Sequence, residues 1–355
     1  MAGGGTGGHV FPALAIASEL AERGQGVSWV GRPASMEEAM VSAAGVEFHA
    51  LGARPWVGKG AAAKLGAAAT LATSTLRARS LVRRLGVDCV LGTGGYVSVP
   101  AVLGARLAHR PAFLLEPNAV AGAANRFASR WCRAAFVARA EAGRLLRCEA
   151  VVSGIPVRES FHEIGALHAG DPQLLILGGS QGALQINELM PRVVRRLRGQ
   201  ASVRLRILHQ TGRAHIESVK RAYSQLGLEQ GPQLRITAFI ENMASAMATA
   251  HLVISRAGAL TTAELAAAGR PSILIPLLGA GAGHQRSNAE RMERAGAAVA
   301  LVDEEVSADV LSEAIERLIE DPRRLKTMAA AARSQATPDA AARIATILQQ
   351  VGGAG

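Results

Sequence analysis

Three cysteines, Cys89, Cys132 and Cys148, are all that this 355-residue chain contains. None shares a metal-like spacing with another, so neither a disulfide scaffold nor a zinc module is indicated. They read as small apolar core residues of a protein kept in a reducing compartment. Aromatic residues are scarce, at 3%, and no cluster interleaves them with basic side chains. No nucleic-acid partner is therefore expected. No uninterrupted apolar run reaches the roughly 18 residues of a membrane span. The chain opens on glycines rather than on a basic and apolar leader, and a cytoplasmic protein that touches a membrane from outside is expected. There is no D-x-D and no His/Cys/Asp cluster with metal spacing, so neither a metal nor another cofactor is demanded. The absence of G-x-x-x-x-G-K-[ST] argues against a P-loop ATPase.

Hydrophobic residues make up 49% of the chain and charged residues 19%, so burial must rest on Ala, Leu, Val and Ile. The formal charge is +11, and residues 1–156 carry +8 of it. That excess suits phosphate-rich ligands or an anionic membrane surface; a solvated basic face is the plain alternative. Short continuous apolar runs, VSWVG (27–31), DCVLG (88–92), AFLLE (112–116) and AAFVA (134–138), read as strands. Helical patterns such as 12–23 and 61–85 separate them. The alternation restarts after residue 156, with strands beginning near Gln173, Val203, His251 and Pro271. Continuous rather than alternating apolar runs imply parallel sheets covered on both faces. The expected architecture is α/β, two Rossmann-like doubly wound domains at 1–156 and 157–337, followed by a helix and tail at 338–355 that could pack back on the first domain. A glycine loop at 3–9 normally follows a central strand, yet two residues precede it here. A natural chain starting upstream with that strand is the expectation, since a sheet without it would expose two edges.

Glycine-rich turns stand after strands, or where one should be: GGGTGGH (3–9), GTGGY (92–96) and GGSQGA (178–183). Glycine lets backbone approach an oxyanion, and the following helix supplies free N–H groups. Tight strand–helix turns are the plain alternative. Gly3, Gly5 and Gly8 match G-x-G-x-x-G, but the strand at 27–31 ends in Gly31-Arg32 where a dinucleotide enzyme needs an acid. In HLVISRAGALTTAELAAAGRP (251–271), a helix opening with Leu260, Thr261 and Thr262 offers N–H donors and hydroxyls to a diphosphate. Glu264 can accept from both hydroxyls of a ribose, or act as a helix-dipole partner. His284, Gln285 and Asn288 open the next helix on the same sheet edge. In the first half the polar set is Tyr96, Glu116, Asn118 and Asn125. Glu116 ends a strand, where it either faces the crevice between domains or is buried and paired.

Taken in order, GGTGGHVFPALAIA, GTGGYVSVP, EPNAVAGAANR, GIPVR, GGSQGA, HQTG, AFIENM, SRAGALTTAELAAAG and GHQRSNA resemble the motifs of the MurG family, across nearly the whole chain. The resemblance implies a GT-B fold, with two domains facing an inter-domain cleft. It implies inverting, metal-independent transfer of N-acetylglucosamine from UDP-N-acetylglucosamine to the muramoyl 4-hydroxyl of lipid I, giving lipid II. Donor contacts would fall on Thr6, Gly7, Gly8, Asn118, Arg158, Ser180, Ile240, Gly258, Ala259, Leu260, Thr261, Thr262, Ala263, Glu264 and Gln285. The first domain's glycine loops, with Tyr96, would hold the acceptor diphosphate. Inverting transfer needs a base beside the acceptor hydroxyl; His9 leads, either as that base or as a phosphate-positioning group, with Glu116 as the alternate. Leu115, Pro117 and Gly283 depart from the family's usual polar residues. On the helix at 61–85, Leu65, Ala69, Leu71, Ala72 and Leu76 replace an aromatic membrane face. Arg54, Lys59, Lys64, Arg77, Arg79, Arg83 and Arg84 remain, so docking at the cytoplasmic face of the inner membrane should lean on charge. Another glycolipid acceptor, a UDP-sugar 2-epimerase and a non-catalytic binding protein are the rival readings.

Overall fold

The computed structural model describes residues 1–5, 7–52, 61–179, 182–200, 205–277, 282–302 and 306–352. The chain divides into two compact units, Met1–Arg158 with Thr337–Gly355, and Glu159–Ala336.

The first unit contains β1 (Ser28–Gly31), β2 (Glu47–Ala50), β3 (Val90–Gly92), β4 (Ala112–Glu116), β5 (Ala134–Val137) and β6 (Glu149–Val152). β1 pairs with β2, and β3 to β6 pair in sequence order, all in parallel. The first residues join the two pieces. Ala2 bridges Val30 on one side and Gly92 on the other, and its N–H donates to the Leu91 carbonyl at 2.8 Å. Met1–Gly3 therefore fill the slot in which sequence reasoning found no strand. The Met1 amine donates to the Ser28 carbonyl at 2.6 Å, and burial lowers its pKa to about 6. The helix Gly7–Glu22 starts five residues before the expected Pro12, which lies inside it. Proline lacks the N–H that would bond the Gly8 carbonyl, so that carbonyl is left without its helical donor beside His9.

The helix Ala61–Leu85 matches its sequence pattern to the residue. The last helix, Ala340–Gly352, packs on the first unit. Ile344, Ala345 and Leu348 share a buried cluster with Ile16, Leu20, Phe113 and Phe136. Arg23 fastens this helix through Thr346, Gln349 and the Ala342 carbonyl.

The second unit contains β7 (Gln173–Leu177), β8 (Arg206–Gln210), β9 (Leu234–Thr237), β10 (Leu252–Ser255), β11 (Ser272–Leu274) and β12 (Ala298–Ala300). All pair in parallel, in the order β12-β11-β10-β7-β8-β9. Leu174, Ile176, Leu252, Ile254 and Ile273 are fully buried, as a sheet covered on both faces requires. In such sheets ligands bind beyond the carboxyl ends of strands where the order reverses. Here that point lies between β7 and β10; in the first unit it lies between the Met1–Gly3 slot and β3.

Candidate functional site

In the first unit the glycine turns at 3–8 and 92–96 flank the switch point. Two of the glycines are dictated by their surroundings. A Cβ on Gly4 would stand 2.3 Å from Glu37 Oε1. Gly95, at φ +77°, would place one 2.6 Å from the Gly4 carbonyl oxygen. His9, half-buried, lies between the turns: a Cβ on Gly94 would stand 3.1 Å from its Nε2, and its Nδ1 is 3.3 Å from the Gly4 carbonyl. A carbonyl can only accept, so Nδ1 carries the hydrogen, and in the neutral ring the lone pair is on Nε2. Gly7 and Gly8 begin the helix that presents His9, and Tyr96 is half exposed beside the second turn. Thr6 lies outside the described residues.

Glu116 is 1% exposed and its carboxylate is saturated. Oε1 accepts from Asn118 N and Nδ2, each at 3.0 Å; Oε2 accepts from Gly122 N at 2.8 Å and Asn125 Nδ2 at 3.0 Å. Four donors occupy the lone-pair positions of the carboxylate. This corrects the reading of Glu116 as an alternate base: it has no acceptor position left for a substrate proton, and it organises the turn after β4. Asn118 correspondingly gives its amide hydrogen to Glu116. Arg158 lies over the Phe11 ring at 4.6 Å from the centroid, in the same unit as His9.

In the second unit the helix Ala259–Ala268 starts at the switch point, with Gly258 as an N-cap that makes no side-chain bond. The N–H groups of Ala259, Leu260 and Thr261 belong to the turn that has no intrahelical acceptor. Glu264, 9% exposed, lies one turn inside. Leu260, Thr261 and Ala263 are half-buried. Thr262 departs from expectation: its hydroxyl donates back to the Ala259 and Gly258 carbonyls at 3.0 and 3.2 Å. That proton is unavailable to a diphosphate, and Thr261 is the neighbouring hydroxyl residue that remains half-buried. On the other flank, Gly182 at φ +83° would bring a Cβ within 2.6 Å of the Thr211 carbonyl. Ser180 lies outside the described residues. Gln285 accepts from Leu277 N at 3.0 Å, and Asn288 donates to the Ala257 carbonyl at 3.0 Å; both side chains lace the loops beside the helix start. Ile240, half-buried, follows the edge strand β9 and is separated from β10 by β7 and β8.

Three features escaped the sequence reading. Glu37, 3% exposed, lies beneath the first glycine turn, 3.4 Å from Gly5 N. Its helix is already capped by Ser35 and Glu38, since Ser35 Oγ accepts from Glu38 N and Glu38 from Ala34 N. A second acid in that first turn was the available signal. Arg256 joins the two flanks of the second switch point, donating to Gln185 Oε1 and to the Ile275 and Pro276 carbonyls; burial lowers its pKa. His209 is buried between Asn187 Oδ1 and the Tyr223 hydroxyl. Asn187 also donates to the Thr211 carbonyl at 2.9 Å, which fixes the turn against Gly182.

Among the described residues no group of three His, Cys, Asp or Glu could hold a metal ion, and no helix is long and apolar enough to cross a membrane. The glycosyltransferase family 28 N-terminal domain matches residues 1–137, and the family's C-terminal domain matches 173–344. The chain is 42% identical over 355 residues to the UDP-N-acetylglucosamine--N-acetylmuramyl-(pentapeptide) pyrophosphoryl-undecaprenol N-acetylglucosamine transferase of Stutzerimonas stutzeri, covering 98% of this chain and 97% of that one. A crystal structure of Acinetobacter baumannii MurG superposes with a TM-score of 0.75 at 32% identity, covering 99% and 98%. A UDP-GlcNAc 2-epimerase from Neisseria meningitidis, 14% identical with a TM-score of 0.71 over 98% and 99%, shares the fold alone.

Proposed function

The chain belongs to the MurG family of glycosyltransferases, and we propose on that premise that it moves N-acetylglucosamine from UDP-N-acetylglucosamine to the muramoyl 4-hydroxyl of undecaprenyl-pyrophosphoryl-MurNAc-pentapeptide. The product is lipid II, made with inversion at the sugar and without a metal. Residues 1–156 would hold the acceptor and residues 157–337 the donor, at the cytoplasmic face of the inner membrane. The observation that carries this reading is the start of the helix Ala259–Ala268, where a turn of free N–H groups and buried Glu264 meet at a switch point. Such a helix end receives a diphosphate, and a carboxylate one turn along can accept from a ribose diol.

His9 acts as the base. Its Nε2 lone pair takes the proton as the acceptor oxygen bonds to the anomeric carbon and the bond from that carbon to the UDP oxygen breaks. Charge developing on UDP is met by the helix N-terminus. Glu116 holds the neighbouring turn in place. The exposed basic residues Arg77, Arg83 and Arg84 draw the enzyme to an anionic membrane surface, each contributing about 1 kcal/mol. Arg54 and Lys59 lie outside the described residues.

A transfer assay with labelled UDP-N-acetylglucosamine and a short-chain lipid I analogue tests the reading. Labelled disaccharide lipid is the expected product. No product with both substrates saturating, or an epimerised sugar released without acceptor, would overturn it. His9→Ala should lower kcat by about 10²–10⁴-fold while UDP affinity stays unchanged; an unaltered kcat removes His9 from the base role.

A further inference from the structure

Beside the second glycine turn of the first unit lies an apolar cavity of about 300 Å³. Its walls come from the helix Ala61–Leu85 (Ala67, Thr70, Leu71, Ser74), from Val99 and Pro100, and from Ala124 and Phe127, with Tyr96 at its edge. The polar atoms along the long helix are already spent. Thr70 Oγ1 donates to the Gly66 carbonyl at 2.8 Å, and Ser74 Oγ donates to the Gly52 carbonyl. No hydroxyl hydrogen on that wall is therefore left for an anionic or carbonyl ligand, whereas an apolar segment needs no partner there. The cavity is at the small end of ligand pockets, which span roughly 300–1,000 Å³, so it suits a short apolar segment rather than a whole lipid.

Two features of its surroundings identify the segment. Tyr96, which lines the cavity, belongs to the GTGGY turn that the resemblance to the MurG family assigns to the acceptor pyrophosphate, so a segment entering here would be one attached close to that group. Across Leu71 the cavity adjoins a shallower apolar trough lined by Ala72, Leu76, Leu103, Leu107 and Trp131. There Leu76 and Leu107 are 58% and 47% exposed. A chain leaving the pyrophosphate could thus fill the cavity first and continue along the trough.

We propose that this cavity seats the isoprene units next to the pyrophosphate of the acceptor's own polyprenyl chain. The enzyme would then read the lipid directly, apart from any attraction of its basic residues to a membrane. The inference rests on the acceptor reading of the glycine turns.

The test uses the full chain in buffer free of detergent and vesicles, with dimethylallyl, geranyl and farnesyl diphosphate as probes and calorimetry as readout. Affinity should rise along the series by roughly tenfold or more, as each added isoprene buries apolar surface. Ala67→Phe and Ala124→Phe, which fill the cavity from opposite walls, should abolish that dependence. Inorganic pyrophosphate and UDP should bind both variants as they bind the parent, which also reports intact folding. Equal affinity along the series, with inorganic pyrophosphate still bound, would overturn the cavity assignment while sparing the acceptor reading. A chain-length effect that appears only with anionic vesicles would overturn it in favour of insertion of the helix into the bilayer. Farnesol binding as tightly as farnesyl diphosphate would overturn the pyrophosphate reading beneath it.

Discussion

Acidification should loosen the second unit, where burial lowers the pKa of both His209 and His251 and His209 has the larger shift. The His209 ring has no exposed surface. Asn187 Nδ2 is committed to the Thr211 carbonyl, so Asn187 Oδ1 faces His209 Nε2 at 3.1 Å and must accept. Nε2 therefore carries the hydrogen, and Nδ1 accepts from the Tyr223 hydroxyl at 3.0 Å. The neutral ring is fully satisfied, whereas a charged ring would be buried without a counter-ion. Burial accordingly lowers the pKa from 6.5 to about 3. For a base depressed in this way, stability is complete above the unfolded value of 6.5. It falls as pH drops from there towards 3, because the unfolded chain binds a proton that the folded one refuses. The slope approaches about 1.4 kcal/mol per pH unit below the unfolded value, so roughly 2 kcal/mol is lost between pH 6.5 and 4.5. Urea melts across that range would follow it. Trp29, Trp56 and Trp131 all fall in the first unit, so their fluorescence reports that unit while circular dichroism reports both. The loss should appear in the transition that tryptophan does not follow. His209→Gln should begin less stable at pH 7, by about 1–3 kcal/mol for the disturbed buried bonds, yet show a slope shallower by about 1.4 kcal/mol per pH unit. An identical slope in parent and variant, or a His209 ring titrating near 6.5 by NMR, would refute the reasoning.

Glu264→Gln should weaken UDP binding by about tenfold to 150-fold, the worth of roughly 1.5–3 kcal/mol in hydrogen bonds to a charged acceptor; unchanged calorimetric affinity would remove the nucleotide from this helix. Glu116→Gln puts an NH₂ where every neighbour donates, so it should cost about 1–3 kcal/mol and lower Tm without altering UDP affinity; an unmoved Tm would show that the turn does not depend on the carboxylate. Glu37→Gln removes a carboxylate from beneath the first glycine turn. At a separation of ~8 Å and an effective dielectric of about 20 this is worth about 2 kcal/mol, so pyrophosphate should bind tens of times more tightly. Weaker pyrophosphate binding would mean the carboxylate builds the turn rather than opposing the anion.

What the sequence disclosed follows a physical line. β1, β3, β4, β5, β7, β8, β10 and β11 all showed as apolar runs, because each has a strand on both sides and helices over both faces. The strands that escaped notice, β2, β6, β9 and β12, are the sheet edges. β2 (EFHA) and β6 (EAVV) are largely exposed, and an edge tolerates the charge that hides a strand from a hydrophobicity reading. The glycine turns were legible because a turn between strand and helix has a local cause. The roles of Glu116, Thr262 and Glu37 were not, because each depends on which donors or acceptors the fold brings to it. Glu116 gathers partners two to nine residues away, and Glu37 meets a backbone N–H 32 residues away.

The two switch points share a scaffold and differ in the charge behind it. The first unit buries a carboxylate, Glu37, under its glycine turn, while the second ties its flanks together with the Arg256 guanidinium. Opposite charges behind similar backbone cradles bias the two sites differently towards anions. The second should grip a nucleotide diphosphate firmly, and the first should hold a pyrophosphate loosely enough to depend on further contacts. The apolar cavity at Tyr96 would supply contacts of that kind to the proposed polyprenyl segment. A site that holds its anion weakly and its lipid well discriminates by the lipid, because free pyrophosphate and soluble sugar phosphates then compete poorly for it.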